Sequence, residues 1–133
     1  MEIKDVYRPY LVTCTPTATL RDVTRQMEDA DAGLVVLMAD GRLEGVISER
    51  DVVRAVARGA DPTTTTAAEY ATTEVVTVAA DEDAATAARR MVDHGVRRLP
   101  VLSAAGDVMG MVSMRDLFAI ETLLGQRRGG THA

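Results

Sequence analysis

Gly45-Val46-Ile47-Ser48-Glu49-Arg50-Asp51 returns 65 positions later as Gly110-Met111-Val112-Ser113-Met114-Arg115-Asp116. The repeat extends outward from this stretch. At the same offset Gly41 falls on Gly106, and Leu34, Val36 and Leu37 fall on Leu99, Val101 and Leu102. Further upstream the offset is 64: Val12-Thr13 matches Val76-Thr77, Arg25 matches Arg89, and Met27 matches Met91. This alignment puts a one-residue slip between Met91 and Leu99, where a loop can absorb it. An internal repeat of this kind governs the reading of the whole fold.

Both halves read alike. Leu11 to Cys14 and Val75 to Val78 are short β-branched runs that predict strands. Thr19 followed by Asp22 makes a capping box, and Leu20, Val23 and Met27 then recur at helical spacing. Ala84, Ala87, Ala88 and Met91 repeat that pattern after Asp81-Glu82-Asp83, acids suited to a helix N-terminus. Leu34 to Met38 and Leu99 to Leu102 predict strands. Turns at Asp40-Gly41 and Ala105-Gly106-Asp107 fold each into a hairpin whose second strand ends at Ser48 or Ser113. A closing helix carries Val52, Val53 and Val56 in one half, and Leu117, Phe118, Ile120, Leu123 and Leu124 in the other. The fold class is α+β, with the order strand, helix, strand, strand, helix occurring twice.

Gly59-Ala60-Asp61-Pro62 and the threonines 63–66 separate the halves, because Gly ends a helix and Pro prevents its continuation. We expect repeat 1 over residues 1–61, a linker over 62–66, repeat 2 over 67–125 and a flexible tail over 126–133. A half of about 65 residues is marginal alone, so the apolar faces are expected to form one shared core.

Composition bounds the function. The chain has 133 residues, 47% apolar and 26% charged, which suits a globular protein and argues against disorder. A net charge of −5 argues against a dedicated nucleic-acid binder. The aromatics Tyr7, Tyr10, Tyr70 and Phe118 offer few stacking platforms for single strands. Cys14 alone cannot form an internal disulfide. No basic stretch precedes an apolar run at the N-terminus. The longest apolar stretch, Gly33 to Ala39, is far below the ~18 residues of a membrane span. A cytoplasmic protein with no membrane or nucleic-acid partner is expected.

The doubled junction carries the chemistry. Ser48 and Ser113 stand where a helix begins, among free backbone N–H groups and a partial positive charge that suit phosphate. Arg50 and Arg115 can add charge-assisted hydrogen bonds. Asp51 and Asp116 lie one turn further on and offer acceptors for a diol such as ribose. The glycine admits the close approach of a ligand or of another strand. Ser-x-x-Asp is equally a capping box that needs no ligand. Its occurrence at equal places in a repeat moves the balance toward a binding site.

The paired βαββα halves, the Leu99-Pro100-Val101-Leu102 strand and the double Gly-h-h-Ser-x-Arg-Asp junction (h, apolar) resemble a tandem CBS-domain pair, a Bateman module, of the stand-alone bacterial type. The resemblance covers about residues 5–125. It implies two βαββα repeats packed about a pseudo-two-fold axis, with two clefts between them, and a homodimer that regulates an effector protein. It also implies an adenosine-containing ligand: AMP, ADP, ATP, S-adenosylmethionine or an NAD-like nucleotide. Carried over by position, a primary cleft would use Thr13, Arg97, Arg98, Ser113, Arg115 and Asp116. A secondary cleft would use Thr77, Ser48, Arg50 and Asp51. There Ala32 and Gly33 stand where the primary cleft has Arg97 and Arg98, and Val35 replaces Pro100. The Asp116 cleft therefore ranks first.

Other residues carry less. His94, before Gly95, suits the negative end of a helix dipole. His132 lies in the tail. Cys14 reads as a small buried hydrophobe. Met109, Met111 and Met114 could line a cleft against an adenine face. No Ser-His-Asp or Cys-His constellation and no metal set is present in the spacing, so the chain is not expected to be an enzyme or to require a cofactor. The competing reading is a dimerisation or interaction protein with vestigial clefts, docking through Val52-Val53-Val56 and Leu117-Phe118-Ile120-Leu124.

Overall fold

Backbone hydrogen bonding makes two three-stranded sheets, each holding a parallel pair and an antiparallel hairpin. The structure, a computed structural model, describes residues 1–119. The expectations for Ile120, Leu123, Leu124 and the tail 126–133 lie outside the described residues. The chain divides into two compact units, one being Leu11–Val75 and the other Met1–Tyr10 together with the chain from Val76 onward.

In the Leu11–Val75 unit, β1 (Thr13–Cys14) lies parallel to β2 (Leu34–Ala39), which pairs antiparallel with β3 (Arg42–Ser48). Helix α1 (Leu20–Ala30) follows β1, and α2 (Glu49–Ala57) and the short α3 (Ala67–Tyr70) follow β3. The expected capping box starts α1: the Asp22 amide donates to Thr19 Oγ at 3.2 Å, and the Thr19 amide donates to Asp22 Oδ2 at 3.4 Å. Leu20, Val23 and Met27 face inward as their spacing predicts, against Val35, Leu37, Ile47 and Ala55. The hairpin turns on Asp40 and Gly41, at φ 51° and 75°. That is the pair of left-handed residues whose twist matches the strands.

The second unit repeats the plan with β4 (Val78–Ala79), α4 (Ala84–His94), β5 (Arg98–Leu102), β6 (Val108–Ser113) and a helical stretch over 114–119. Its buried residues are Ile3, Val78, Ala87, Met91, Leu99, Val101 and Val112. Among the described residues the buried side chains form one cluster in each unit. Each cluster is closed by a segment borrowed across the repeat boundary. Ile3, on a 3-10 turn over Ile3–Asp5, completes the second cluster, and Ala67 on α3 completes the first.

These two borrowed segments, the leaders, dock identically. The Met1 carbonyl accepts from the Ala84 amide at 2.8 Å, as Thr65 does from Leu20 at 2.9 Å. Each bond satisfies a donor that a helix N-terminus leaves free. The amide of Ile3 donates to Glu82 at 2.9 Å, as that of Ala67 does to Ala18 at 2.7 Å. Pro62, in the segment expected as a linker, accepts from Arg21 at 3.0 Å. The compact units are therefore cut at residues 10/11 and 75/76, whereas the sequence repeat divides near 61 and 67. Helix α3 escapes the sequence reading because the threonine run hides a capping box, in which the Thr66 amide donates to Glu69 Oε2 at 2.7 Å.

The strand register relocates the one-residue slip. Gly45 pairs with Leu37 and Gly110 with Val101; Ile47 pairs with Val35 and Val112 with Leu99. Val35 is thus the counterpart of Leu99, and Val36 that of Pro100. The slip lies in the hairpin turns, Asp40-Gly41 in one half and the loop 103–107 in the other, not before the strand. Pro100 also explains why β4 starts late. The Val36 amide donates to the Val12 carbonyl at 2.9 Å, a bond for which Pro100 has no N–H. Pairing accordingly begins at Thr13 in β1 but one place later, at Val78, in β4. Among the described residues no helix is long and apolar enough to cross a membrane.

Candidate functional site

Both junctions close on themselves as capping boxes. At the first, the Ser48 amide donates to Asp51 Oδ2 at 2.8 Å, its hydroxyl donates to the same oxygen at 3.0 Å, and the Asp51 amide donates back to Ser48 Oγ at 3.3 Å. At the second, the Ser113 amide donates to Asp116 Oδ2 at 3.1 Å and the Asp116 amide to Ser113 Oγ at 3.1 Å. Each box fixes the helix start and orients one carboxylate, an arrangement worth about 1 kcal/mol. The remaining carboxylate oxygen takes a guanidinium in each case. Arg54 Nη2 donates to Asp51 Oδ1 at 2.8 Å, and Arg8 Nε donates to Asp116 Oδ1 at 2.9 Å.

The junction glycines are buried for a backbone reason. A Cβ at Gly45 would stand 2.8 Å from the Thr72 carbonyl oxygen. At Gly110 it would overlap the Arg8 carbonyl oxygen and lie 2.8 and 2.9 Å from two ring carbons of Tyr7. Just beyond each glycine a leader forms a two-bond bridge, Val46 with Thr72 at 3.0 and 2.8 Å, and Met111 with Arg8 at 2.9 and 2.8 Å. Of the two partners expected at the glycine, a ligand or another strand, these positions receive a strand-like segment.

Arg97, Arg98, Ser113, Arg115 and Asp116 are brought together in one unit. Arg98 pairs across the sheet with Ser113, and the Arg97 carbonyl accepts from the Met114 amide at 2.7 Å. In the other unit Leu34 pairs with Ser48, and the Gly33 carbonyl accepts from Glu49 at 3.1 Å. The counterparts of Arg97 and Arg98 are therefore Gly33 and Leu34, not Ala32 and Gly33. The contrast that ranked the junctions survives the correction. Arg97, Arg98, Arg115 and Arg50 are all exposed, so their charges face water in these units.

Thr13 belongs to the unit that carries Ser48, Arg50 and Asp51, and Thr77 to the unit that carries Asp116. Their carbonyls are held alike: Gln26 Nε2 donates to Thr13 at 2.7 Å, and Arg90 Nη1 donates to Thr77 at 2.7 Å. Arg90 also pairs with Glu82 at 2.7 Å, and Glu82 Oε1 accepts from the Ala79 amide at 3.0 Å. The Arg90 guanidinium first, and then the Ala79 amide, hold the Glu82 carboxyl below the usual range. Its folded value lies below the unfolded one. The pair therefore contributes stability above the ordinary carboxylate range and loses it as pH falls through the lowered value. Glu82→Gln should lower the melting temperature at pH 7 by about 2–5 °C, a gap that thermal melts should show closing toward pH 3. Burial raises the Cys14 thiol, consistent with a small apolar filler beside the first core.

Arg8 was missed by the sequence reading. Its place in the chain is remote from Asp116, and a lone Arg before Pro9 gives no periodic signal.

Comparison with known proteins gives this geometry its family. The CBS domain model matches twice, over residues 3–58 and 67–121. An uncharacterized protein of Methanopyrus kandleri is 32% identical over 126 residues, 93% of this chain, and the chain spans 64% of that relative's length. A CBS domain protein from Pyrobaculum aerophilum, solved in complex with AMP, superposes with a TM-score of 0.82 at 31% identity, covering 87% of this chain and 89% of that one. The cytosolic domain of the Mg2+ channel MgtE, in complex with ATP, gives 0.76 at 31% identity, covering 90% of this chain and 48% of that one. With the family model matching twice over most of its length, the chain belongs to the CBS domain family as a tandem pair.

Proposed function

We propose that the protein is a regulatory module that binds an adenosine-containing nucleotide and passes its occupancy to a partner protein. The observation that carries this reading is the duplicated junction. Each copy presents an oriented carboxylate, a helix start and an arginine, and one copy adds Arg97 and Arg98. The carboxylate suits a ribose diol, while the helix start and the arginines suit phosphate. The AMP and ATP complexes of relatives at 31% identity support the ligand class. Regulation follows only if the ligand favours one arrangement of the protein over another.

Calorimetric titration with AMP, ADP, ATP, S-adenosylmethionine and NAD(H) tests the reading. Binding in the micromolar to millimolar range is expected, weakened about 10-fold or more by Asp116→Ala and less by Asp51→Ala. No response to any of the five at millimolar concentration would sink the proposal. The reverse order of the two variants would overturn the ranking of the junctions.

A second reading has its own observation. Val53, Val56 and Phe118, on the two closing helices, are exposed at 66%, 55% and 68%. These side chains support a homodimer or a docked effector, with the capping boxes serving structure alone. A dimer by light scattering together with silence in the titrations would favour it.

A further inference from the structure

Resting on the reading that Asp116 takes the ribose of an adenosine-containing ligand, we propose that Arg8 is an autoinhibitory latch on that carboxylate, displaced when the ligand binds. Both oxygens of Asp116 are engaged, Oδ1 by Arg8 Nε at 2.9 Å and Oδ2 by the Ser113 amide at 3.1 Å. Under these partners the Asp116 side chain keeps 9% exposure, while that of Arg8 is 73% exposed. A diol recognises a carboxylate by donating to both oxygens, and here a guanidinium lies on one of them. The Ser113 amide is fixed in the backbone, so Arg8 is the partner that yields. Because most of its side chain is already in water, it can leave with little loss.

The arrangement at Asp51 differs in a way that matters. Arg54 lies one turn along the same helix and moves with its carboxylate. Arg8 comes from the opposite end of the sequence, on the leader Met1–Tyr10, 108 positions away. Its backbone is bridged to Met111, and the leader is anchored again at Ile3. The latch is therefore the side chain alone, swinging from a docked backbone. Ligand at Asp116 and the position of the Arg8 side chain are thereby coupled, and the coupling runs equally in both directions.

Titration of AMP into the full chain tests the latch, using wild type, Arg8→Ala and Arg8→Lys, each checked for an unchanged melting profile. Arg8→Ala should bind AMP on the order of 5-fold more tightly than wild type, the size expected from removing one exposed competing ion pair. Arg8→Lys, which keeps the charge without the Nε donor, should fall between them. Salt should narrow the gap by screening the pair. Equal or weaker binding by Arg8→Ala, with wild type still binding, overturns the latch and leaves the nucleotide reading standing. Failure of all three proteins to bind any of AMP, ADP, ATP, S-adenosylmethionine and NAD(H) at millimolar concentration overturns both.

Discussion

Gly110→Ala should lower the unfolding free energy by about 2–3 kcal/mol, the range of an overpacked interior site. The added methyl group has nowhere to go. It would meet the Arg8 carbonyl oxygen, which is bonded to the Met111 amide, and the ring of Tyr7. Tyr7 can rotate, but the carbonyl can retreat only by breaking the bridge that seats the leader. Gly45→Ala should cost less, because its nearest neighbour is one carbonyl at 2.8 Å with no aromatic ring behind it. Urea unfolding of both variants measures the difference. If Gly110→Ala is as stable as wild type, the leader does not cross β6 as described.

Ile3→Ala should cost about 2–4 kcal/mol, the range for truncating a fully buried aliphatic side chain. Ile3 is completely buried and packs with Val78, Ala87, Met91, Leu99, Val101 and Val112. The amides of Ile3 and Lys4 donate to Glu82 and Ala80, so the backbone holds the side chain in the cluster and a cavity cannot close by sliding. Met1→Ala, at a residue 56% exposed, is the matched control and should change stability by no more than about 0.5 kcal/mol. Hydrogen exchange at the Met111 amide should speed up in Ile3→Ala and not in the control. Equal melting of the two variants would mean that the segment around Ile3 is not docked in solution.

Much of this was legible in the residues. The doubled junction, the Thr19-Asp22 box, the Asp40-Gly41 turn and the inward faces of α1 and α4 follow from short-range chemistry that does not depend on the rest of the chain. The slip was misplaced because Leu34-Val35-Val36-Leu37 and Leu99-Pro100-Val101-Leu102 are apolar throughout, so hydrophobic pattern aligns them equally well at either offset. Only the hydrogen-bond register separates the two. The leaders were invisible for another reason: Ile3 and Ala67 are single anchors in polar segments, and a single anchor has no period. At the site, sequence found the carboxylates and the arginines near them in the repeat, but not Arg8, whose role depends on a long-range docking.

The exchanged leaders bear on how such a chain could arise. Each repeat carries a leader that covers the glycine of the other repeat's hairpin. A gene encoding one repeat would therefore make a protein with an uncovered hairpin and an unused leader. Two copies could satisfy each other by trading leaders, the reciprocal exchange that makes swapped dimers cheap to form. Fusion of two such genes would then preserve an existing assembly within one polypeptide. The duplication is easier to understand as the tethering of a pair than as the doubling of a self-sufficient domain.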